Sequence, residues 1–229
     1  DEEYLVEDTS LAVAEGDDST SKRSSFGAVT GSIIHDYLAK MDSTLFSEKL
    51  LKELVEDYFL NNLDIGVDKN QILKIVTHKL EKYLSSKQAK EIENFTTSHN
   101  EFEIFLRYGS FYLMGVIVMI IILEDRIIII DYKTVKNLED VMDRYSAQLD
   151  FYAFLTSRIY SNINSFELRL ISIDNYDESI VRIVSRNSVS QTEDKLNTFV
   201  DTLRSTISNS GFFRNTGHCH KCKFSINNN

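Results

Sequence analysis

Hydrophobic residues recur every three or four positions in the first third of the chain and again after residue 138. This spacing places apolar side chains on one face of a helix. The first third therefore predicts three helices, over Ile34 to Met41, Leu50 to Tyr58 and Ile72 to Tyr83. A long helix is predicted from Leu138 to Tyr160, and a closing helix from Gln191 to Ile207.

Two runs of β-branched residues lie between these groups of helices and indicate buried strands. They extend from Leu113 to Ile122 and from Ile127 to Ile130, and the polar residues 124–126 predict a turn between them. Antiparallel pairing about that turn places residue 118 opposite residue 131 or 132. A tight hairpin is therefore expected in the middle of the chain.

Two alternating segments after the long helix, Phe166 to Ile173 and Ser179 to Val184, predict further strands. With a short strand before the hairpin, the order becomes helices, three strands, helix, two strands, helix. This order predicts an α/β fold, a mixed sheet flanked by helices with a helical N-terminal part. The polar segment 15–25 predicts a mobile linker. Residues 1–26 are therefore expected to form a flexible tether, 27–224 a single domain and 225–229 a tail.

The hairpin carries the most informative polar side chains. Asp131 and Lys133 are two residues apart, so both project from the same face of their strand. A carboxylate and an ammonium therefore converge beside residue 118. A hard divalent cation takes carboxylate oxygens as ligands, and a nearby lysine can orient a water or stabilise charge on a phosphate.

The hairpin sequence resembles a known nuclease pattern. Gly115-Val116-Ile117-Val118, followed by Asp131-Tyr132-Lys133-Thr134, is similar to the G-x-I-D and D-Y-K-T motifs of the RecB/AddA branch of the PD-(D/E)XK nuclease superfamily. Val118 stands where that pattern has aspartate. The resemblance covers roughly residues 27 to 224 and implies a restriction-endonuclease-like core.

Further motifs match the same family in the same order. Gly31 and His35 resemble the G-x-x-x-H of its first helix, and Glu101, with Glu103 in reserve, lies where the family carries a glutamate. The resemblance implies that His35, Glu101 and Asp131 are ligands of Mg²⁺ or Mn²⁺. In the family, water activated by that metal attacks a DNA phosphodiester in line.

A Q-x-x-x-Y motif follows on the long helix. Gln148 and Tyr152 are four residues apart, which puts both side chains on one face. The catalytic set that the resemblance implies comprises Asp131, Lys133, Glu101, Gln148 and Tyr152. Such a set belongs to a Mg²⁺-dependent deoxyribonuclease, an exonuclease-type hydrolase.

Each of these features has a less specific interpretation. Asp131 and Lys133 also suit an ion pair at a strand end, and His35 beside apolar neighbours suits a packed core histidine. The Gln148–Tyr152 face, which includes Tyr145, is compatible either with a plain polar stripe or with contacts to DNA. Alternating glutamates are common on half-exposed strands.

Val118 divides the functional interpretations. An isopropyl group offers no lone pair, so the affinity of the site for a divalent metal is expected to fall. One hypothesis is a RecB/AddA-type domain that works at or near DNA ends, with a helicase or another subunit of a repair complex, and hydrolyses DNA poorly. The alternative is a non-catalytic pseudonuclease module that binds DNA or a protein partner.

Composition limits the remaining classes. A chain of 229 residues with 42% hydrophobic content can bury one substantial core. A net charge of -10 argues against a free-standing basic clamp for nucleic acid. The apolar run from Leu113 to Leu123 is about half the ~20 residues that a spanning helix needs. No membrane association and no secretory signal are expected, and two cysteines at close spacing favour a cytoplasmic, intracellular setting.

The C-terminal tail offers a separate candidate metal site. Cys219 and Cys222 form a C-x-x-C pair, with His218 immediately before it and His220 within it. Two thiolates can contribute to a Zn²⁺ site, and the histidines are candidates for the remaining ligands. Several RecB-like nucleases with a similar tail hold an iron-sulfur cluster through further cysteines. This chain has none, so no iron-sulfur cluster is expected.

Overall fold

Four helices precede the sheet in the computed structural model, which describes residues 18–41, 45–62 and 66–208. Helix α1 spans Asp18–Lys40, α2 Glu48–Asn61, α3 Lys69–Leu84 and α4 Lys87–Glu93. The side chains of Ser47, Asp68 and Ser86 each accept a hydrogen bond from a backbone N–H in the first turn of α2, α3 and α4. These caps fix where the three helices begin.

Two details of the N-terminal part differ from the sequence-based expectation. Helix α1 begins at Asp18, inside the segment predicted to be a linker. Once a helix is nucleated, each added residue gains a hydrogen bond, so polar residues can extend a helix whose later turns are packed. Helix α4 was not predicted, because its seven residues are too few to display a helical period.

Five strands form one sheet in the order β1-β2-β3-β4-β5. They are β1 Ser98–Tyr108, β2 Phe111–Ile122, β3 Arg126–Lys133, β4 Ser165–Ser172 and β5 Ser179–Ser185. Only β3 and β4 pair in parallel, and helix α5, Glu139–Ile159, makes the crossover between them. The predicted order of helices and strands is confirmed, as is the mixed α/β architecture.

The register of the central hairpin follows the prediction. Met119 pairs with Ile130 and Ile122 with Ile127, and the ladder ends at Met119. The same register, extended by one step, would place Val118 opposite Asp131. Residues 123–125, which include the polar Glu124 and Asp125, make the turn. This turn fixes the pairing because a slip of one residue would expose the apolar side chains of both strands.

The pairing of β1 with β2 is interrupted at one position. Pairs form at Asn100 with Met119 and at Phe102 with Ile117, and the same register would place Glu101 opposite Val118. Glu101 has a φ of 47°, in the left-handed region. The face of the hairpin that follows the Asn100 side chain changes across this break. The Asn100 amide reaches backbone carbonyl oxygens of α1, whereas Gly115, which pairs with Ile104 beyond the break, lies against α5.

Helices cover both faces of the sheet. On one face, apolar residues of α1, α2 and α3 form a buried cluster with β2, β3 and the end of β4. On the other face, α5 packs against the sheet, where the rings of Tyr108 and Phe154 lie 5.9 Å apart. The end of β3 therefore lies between α1 and α5.

The chain divides into two compact units, residues 1–189 and 190–229. The second unit contains most of helix α6, which spans Arg186–Ser208. Within the described residues, no helix has both the length and the apolar character needed to cross a membrane.

Candidate active site

The last residues of β3 form a buried ion pair. Oδ2 of Asp131 and Nζ of Lys133 are 2.9 Å apart, and their side chains are 3% and 11% exposed. The ammonium also lies over the ring of Tyr145 in α5, 3.7 Å from the ring centroid. A carboxylate, an ammonium and an aromatic face thus form one assembly, in which the ring and the carboxylate both stabilise the positive charge.

The Q-x-x-x-Y motif lies on α5. Nε2 of Gln148 donates a hydrogen bond of 3.0 Å to the hydroxyl of Tyr152. Burial raises the pKa of Tyr152 to about 12, the negative charge of Asp131 also raises it, and the hydrogen bond from Gln148 lowers it. Tyr152 therefore carries its proton at neutral pH.

Two buried oxygen atoms of this site lack a hydrogen bond. They are Oδ2 of Asp131 and Oε1 of Gln148. For Asp131 the contact with Lys133 is an ion pair without hydrogen-bond geometry. Unsatisfied buried acceptors are costly, so a hydrogen-bond donor that entered here would be stabilised.

Helix α1 approaches the same end of β3 through a glycine. A Cβ atom added to Gly31 would lie 3.1 Å from Oγ1 of Thr134, so the two segments are in close contact. His35 is one helical turn after Gly31 and is half-buried. Among the described residues, no hydrogen bond or ion pair involves its imidazole. The helix that carries His35 is therefore next to the strand that carries Asp131.

The two glutamates of β1 differ from this buried assembly because they are exposed to solvent. Glu101 and Glu103 are both exposed, and Glu101 occupies the break in strand pairing. Asp150 is held by Arg182 of β5, with 2.6 Å between Oδ1 and Nη2. In the described part of the chain, no three side chains of His, Cys, Asp or Glu are grouped so that they could hold a metal ion. The implied trio of His35, Glu101 and Asp131 is not assembled.

Comparison with known proteins identifies the family. The family model of the PD-(D/E)XK nuclease superfamily matches residues 10–226. The chain belongs to the PD-(D/E)XK nuclease superfamily. Nucleases of this superfamily generally use divalent metal ions and act on DNA. No curated protein matches the chain.

A solved structure supports the fold of this PD-(D/E)XK domain. The chain is similar to a provisionally named exonuclease from Eubacterium rectale, with a TM-score of 0.50 and 11% sequence identity. The match covers 89% of this chain and 74% of the other. At 11% sequence identity, this similarity supports the fold alone.

Val118 offers no metal ligand to this PD-(D/E)XK domain. Its side chain is 4% exposed and belongs to the apolar cluster that β2 forms with α1, α2 and α3. Divalent Mg²⁺ and Mn²⁺ require several oxygen ligands, and carboxylates supply the charge that holds them. Here Asp131 is one carboxylate, and Lys133 already neutralises it. The described residues do not fit a resident divalent cation.

Two features of the site were not predicted from the sequence. Tyr145 was recognised as part of the Gln148–Tyr152 face, but its position over Lys133 was not predicted. The pairing of Asp150 with Arg182 was also missed, although an arginine at an inward position of a strand is a signal for a buried carboxylate partner. The cysteines and histidines of the tail, residues 218–222, lie outside the described residues.

Proposed function

We propose that this chain is a RecB/AddA-type PD-(D/E)XK domain that acts at or near DNA ends and whose hydrolytic activity is impaired by Val118. The observation that carries the proposal is the ion pair of Asp131 with Lys133, whose ammonium lies over the ring of Tyr145. The family pattern has an aspartate where this chain has Val118. A dication placed at Asp131 would meet the ammonium of Lys133 at close range. Like charges at this distance repel strongly in a buried site.

The site also contains hydrogen-bond donors that can contact a phosphodiester. Lys133 supplies a positive charge, and the neutral hydroxyl of Tyr152 and the amide of Gln148 supply hydrogen bonds. Tyr145 presents an aromatic ring beside them. Phosphate oxygens accept such bonds, and exposed bases stack on aromatic rings. We infer that DNA binds in a groove at this end of β3, between α1 and α5, with Lys133 as the electrostatic contact.

The charge of the chain makes a partner part of this proposal. With a net charge of -10, the chain as a whole repels DNA, so the attraction must be local or come from another protein. A helicase or another subunit of a repair complex would supply that positive field. The proposed setting is cytoplasmic.

The second candidate function is a non-catalytic module that binds DNA or a protein partner through the same groove. The valine favours it directly, because a site with one neutralised carboxylate retains its shape and its polar groups while lacking charge for a metal. The two functions differ in one measurable property, which is the rate of DNA cleavage.

The test is cleavage of linear DNA with Mg²⁺ or Mn²⁺. We expect the unmodified chain to cleave at a rate near background and Val118→Asp to raise the rate by orders of magnitude, since each ~1.4 kcal/mol of transition-state stabilisation is tenfold in rate. Val118→Asn is the matched control, because asparagine has the shape of aspartate without its charge. Adding Asp131→Ala to Val118→Asp should return the rate to background.

Circular dichroism spectra of all variants establish that each is folded before rates are compared. Strong metal-dependent cleavage by the unmodified chain that persists in Asp131→Ala would overturn both the ligand assignment and the impairment. Cleavage by the unmodified chain that is lost in Asp131→Ala would keep Asp131 as the ligand and overturn the impairment alone. In that case another carboxylate, such as Glu101, Glu103 or Asp150, replaces the missing aspartate.

A further inference from the structure

An apolar surface lies on the hairpin of β1 and β2, on the side turned away from α5. We call it the hairpin face and define it by the side chains of Glu103, Phe105, Arg107, Tyr112, Met114 and Val116. Its four apolar members are unusually exposed: Phe105 and Met114 at 68%, Tyr112 at 63% and Val116 at 40%.

These side chains form one continuous patch. The register sets Phe105 directly opposite Met114, Arg107 opposite Tyr112 and Glu103 opposite Val116. The rings of Phe105 and Tyr112 stack with centroids 5.0 Å apart and an angle of 14° between their planes. Exposed apolar side chains scattered singly are normal, whereas a contiguous patch with a polar rim marks an interaction site.

The two charged members are placed symmetrically about the centre of the patch. Glu103 lies two residues before Phe105 and Arg107 two residues after it, so the charges are about 13 Å apart along the strand. That is too far for an ion pair within one chain. In the part of the chain that the structure describes, neither residue has an ion-pair partner.

We propose that the hairpin face is a self-association surface on which two copies of this chain pack face to face about a twofold axis. The axis lies in the interface, perpendicular to the strands and level with Phe105 and Met114. A half-turn about it carries position 107 onto position 103, so Glu103 of one copy meets Arg107 of the other, twice. Phe105, Tyr112 and Met114 fill the centre between these two ion pairs.

The composition of the face favours a second copy over other occupants. Aromatic residues, methionine and arginine are enriched in protein interfaces. A nucleic acid would require a surplus of positive charge, and this face carries one positive and one negative side chain. The face is therefore complementary to itself in charge and apolar in its centre. The proposal does not depend on the function of the groove at Asp131.

The test is the mass of the full chain in solution, measured by sedimentation velocity over a range of concentrations. We expect the unmodified chain to show a concentration-dependent equilibrium between one and two copies. Glu103→Arg and Arg107→Glu each create two like-charge contacts, and each should raise the dimer dissociation constant at least ~10-fold. Glu53→Arg, on the exposed face of α2, is the control and should leave the equilibrium unchanged.

Combining the two charge reversals tests the axis itself. The double variant Glu103→Arg/Arg107→Glu should dimerise as the unmodified chain does, because both ion pairs are restored with reversed polarity. Each single variant should dimerise weakly by itself. A mixture of the two should form a heterodimer in which both ion pairs are present. Recovery of dimerisation in these two experiments also shows that the single variants failed through charge rather than misfolding.

Three results would overturn the proposal. The first is an unmodified chain that stays monomeric at every concentration. The second is a dimer that both single variants form normally, which would place the interface elsewhere. The third is association that appears only when DNA is added and is lost in Phe105→Ser, which would assign the face to nucleic acid. None of these three results would change the outcome expected in the DNA cleavage experiments.

Discussion

At the scale of single residues, one lysine is held beside the carboxylate that we propose as a metal ligand. Lys133 is fixed by Asp131 on one side and by the ring of Tyr145 on the other. Breaking a buried pair by removing one partner leaves an uncompensated charge, which is strongly destabilising. The pair is therefore expected to persist in the folded protein, and Tyr145 acts as the residue that positions the ammonium.

Replacing Tyr145 tests this role. Tyr145→Leu removes the aromatic face from beneath Lys133, and we expect it to lower the free energy of unfolding by about 1 kcal/mol through the lost cation–π contact. Tyr145→Phe keeps the ring and is the matched control, so its stability should stay close to that of the unmodified chain. Urea denaturation measures both. Equal losses in the two variants would show that the hydroxyl, rather than the ring, matters.

The sequence predicted some of these residues and could not predict others. The two-residue spacing of Asp131 and Lys133 fixes their common face, and the structure has them in contact. Glu101 is different, because a strand pattern assumes strict alternation and gives no sign of a residue with positive φ. The role of Tyr145 depends on how far α5 is rotated about its axis, which periodicity specifies only coarsely.

At the scale of elements, the approach of α5 to the sheet depends on a glycine. A Cβ atom added to Gly115 would lie 2.7 Å from Cδ1 of Leu155 and 3.3 Å from Cε1 of Tyr152. The motif glycine thus permits the helix with the Gln148–Tyr152 face to come close to β2. A side chain there would require the side chains of Leu155 and Tyr152 to shift.

The prediction is that Gly115→Ala destabilises the fold by ~1–3 kcal/mol, because the added methyl group overpacks a filled interface. Leu155→Ala removes the atom that the methyl group would meet. In that background, Gly115→Ala should cost at least ~1 kcal/mol less than it does in the unmodified chain. The measurement is a double-mutant cycle by chemical denaturation. Additive costs would show that Leu155 does not define the space beside Gly115.

The order of elements followed from the sequence because periodicity and turn residues are local signals. The hairpin register followed from the position of its polar turn, and both hairpin strands were predicted within a few residues of their ends. The start of α1 and the existence of α4 did not follow, since packing and capping decide them. The order of elements does not distinguish the RecB/AddA type from other members of the superfamily, so that assignment is a proposal.

At the scale of the whole molecule, buried tyrosines link the stability of the fold to pH. Burial raises the pKa of Tyr132 and of Tyr152 to about 12, and burial raises that of Tyr83 well above its ordinary value. The rings of Tyr83 and Tyr132 meet edge to face between α3 and β3. These hydroxyl groups stay protonated in the folded chain at pH values where an unfolded chain has begun to lose its protons.

We therefore expect the free energy of unfolding to fall as the pH rises from about 10 to 12. Below pH 10 the three tyrosines are protonated in both states and contribute fully to stability. Above it the unfolded chain releases protons that the folded chain retains, which costs up to ~1.4 kcal/mol per pH unit for each tyrosine. Urea midpoints across this range measure the slope.

Two variants check the assignment of that slope. Tyr132→Phe removes one of the suppressed titrations, so its stability should fall less steeply with pH. Tyr152→Phe removes another suppressed titration and should reduce the slope in the same way. A slope that Tyr132→Phe leaves unchanged would contradict the account.

We propose that Val118 and the pairing of Lys133 with Asp131 leave this nuclease fold without a competent metal centre. The most direct test is a calorimetric titration of the DNA-free chain with Mn²⁺. We predict no saturable binding to the unmodified chain up to ~1 mM, and binding to Val118→Asp at least ~10-fold tighter than to Val118→Asn. One Mn²⁺ bound by the unmodified chain in the micromolar range, and lost in Asp131→Ala, would contradict the claim.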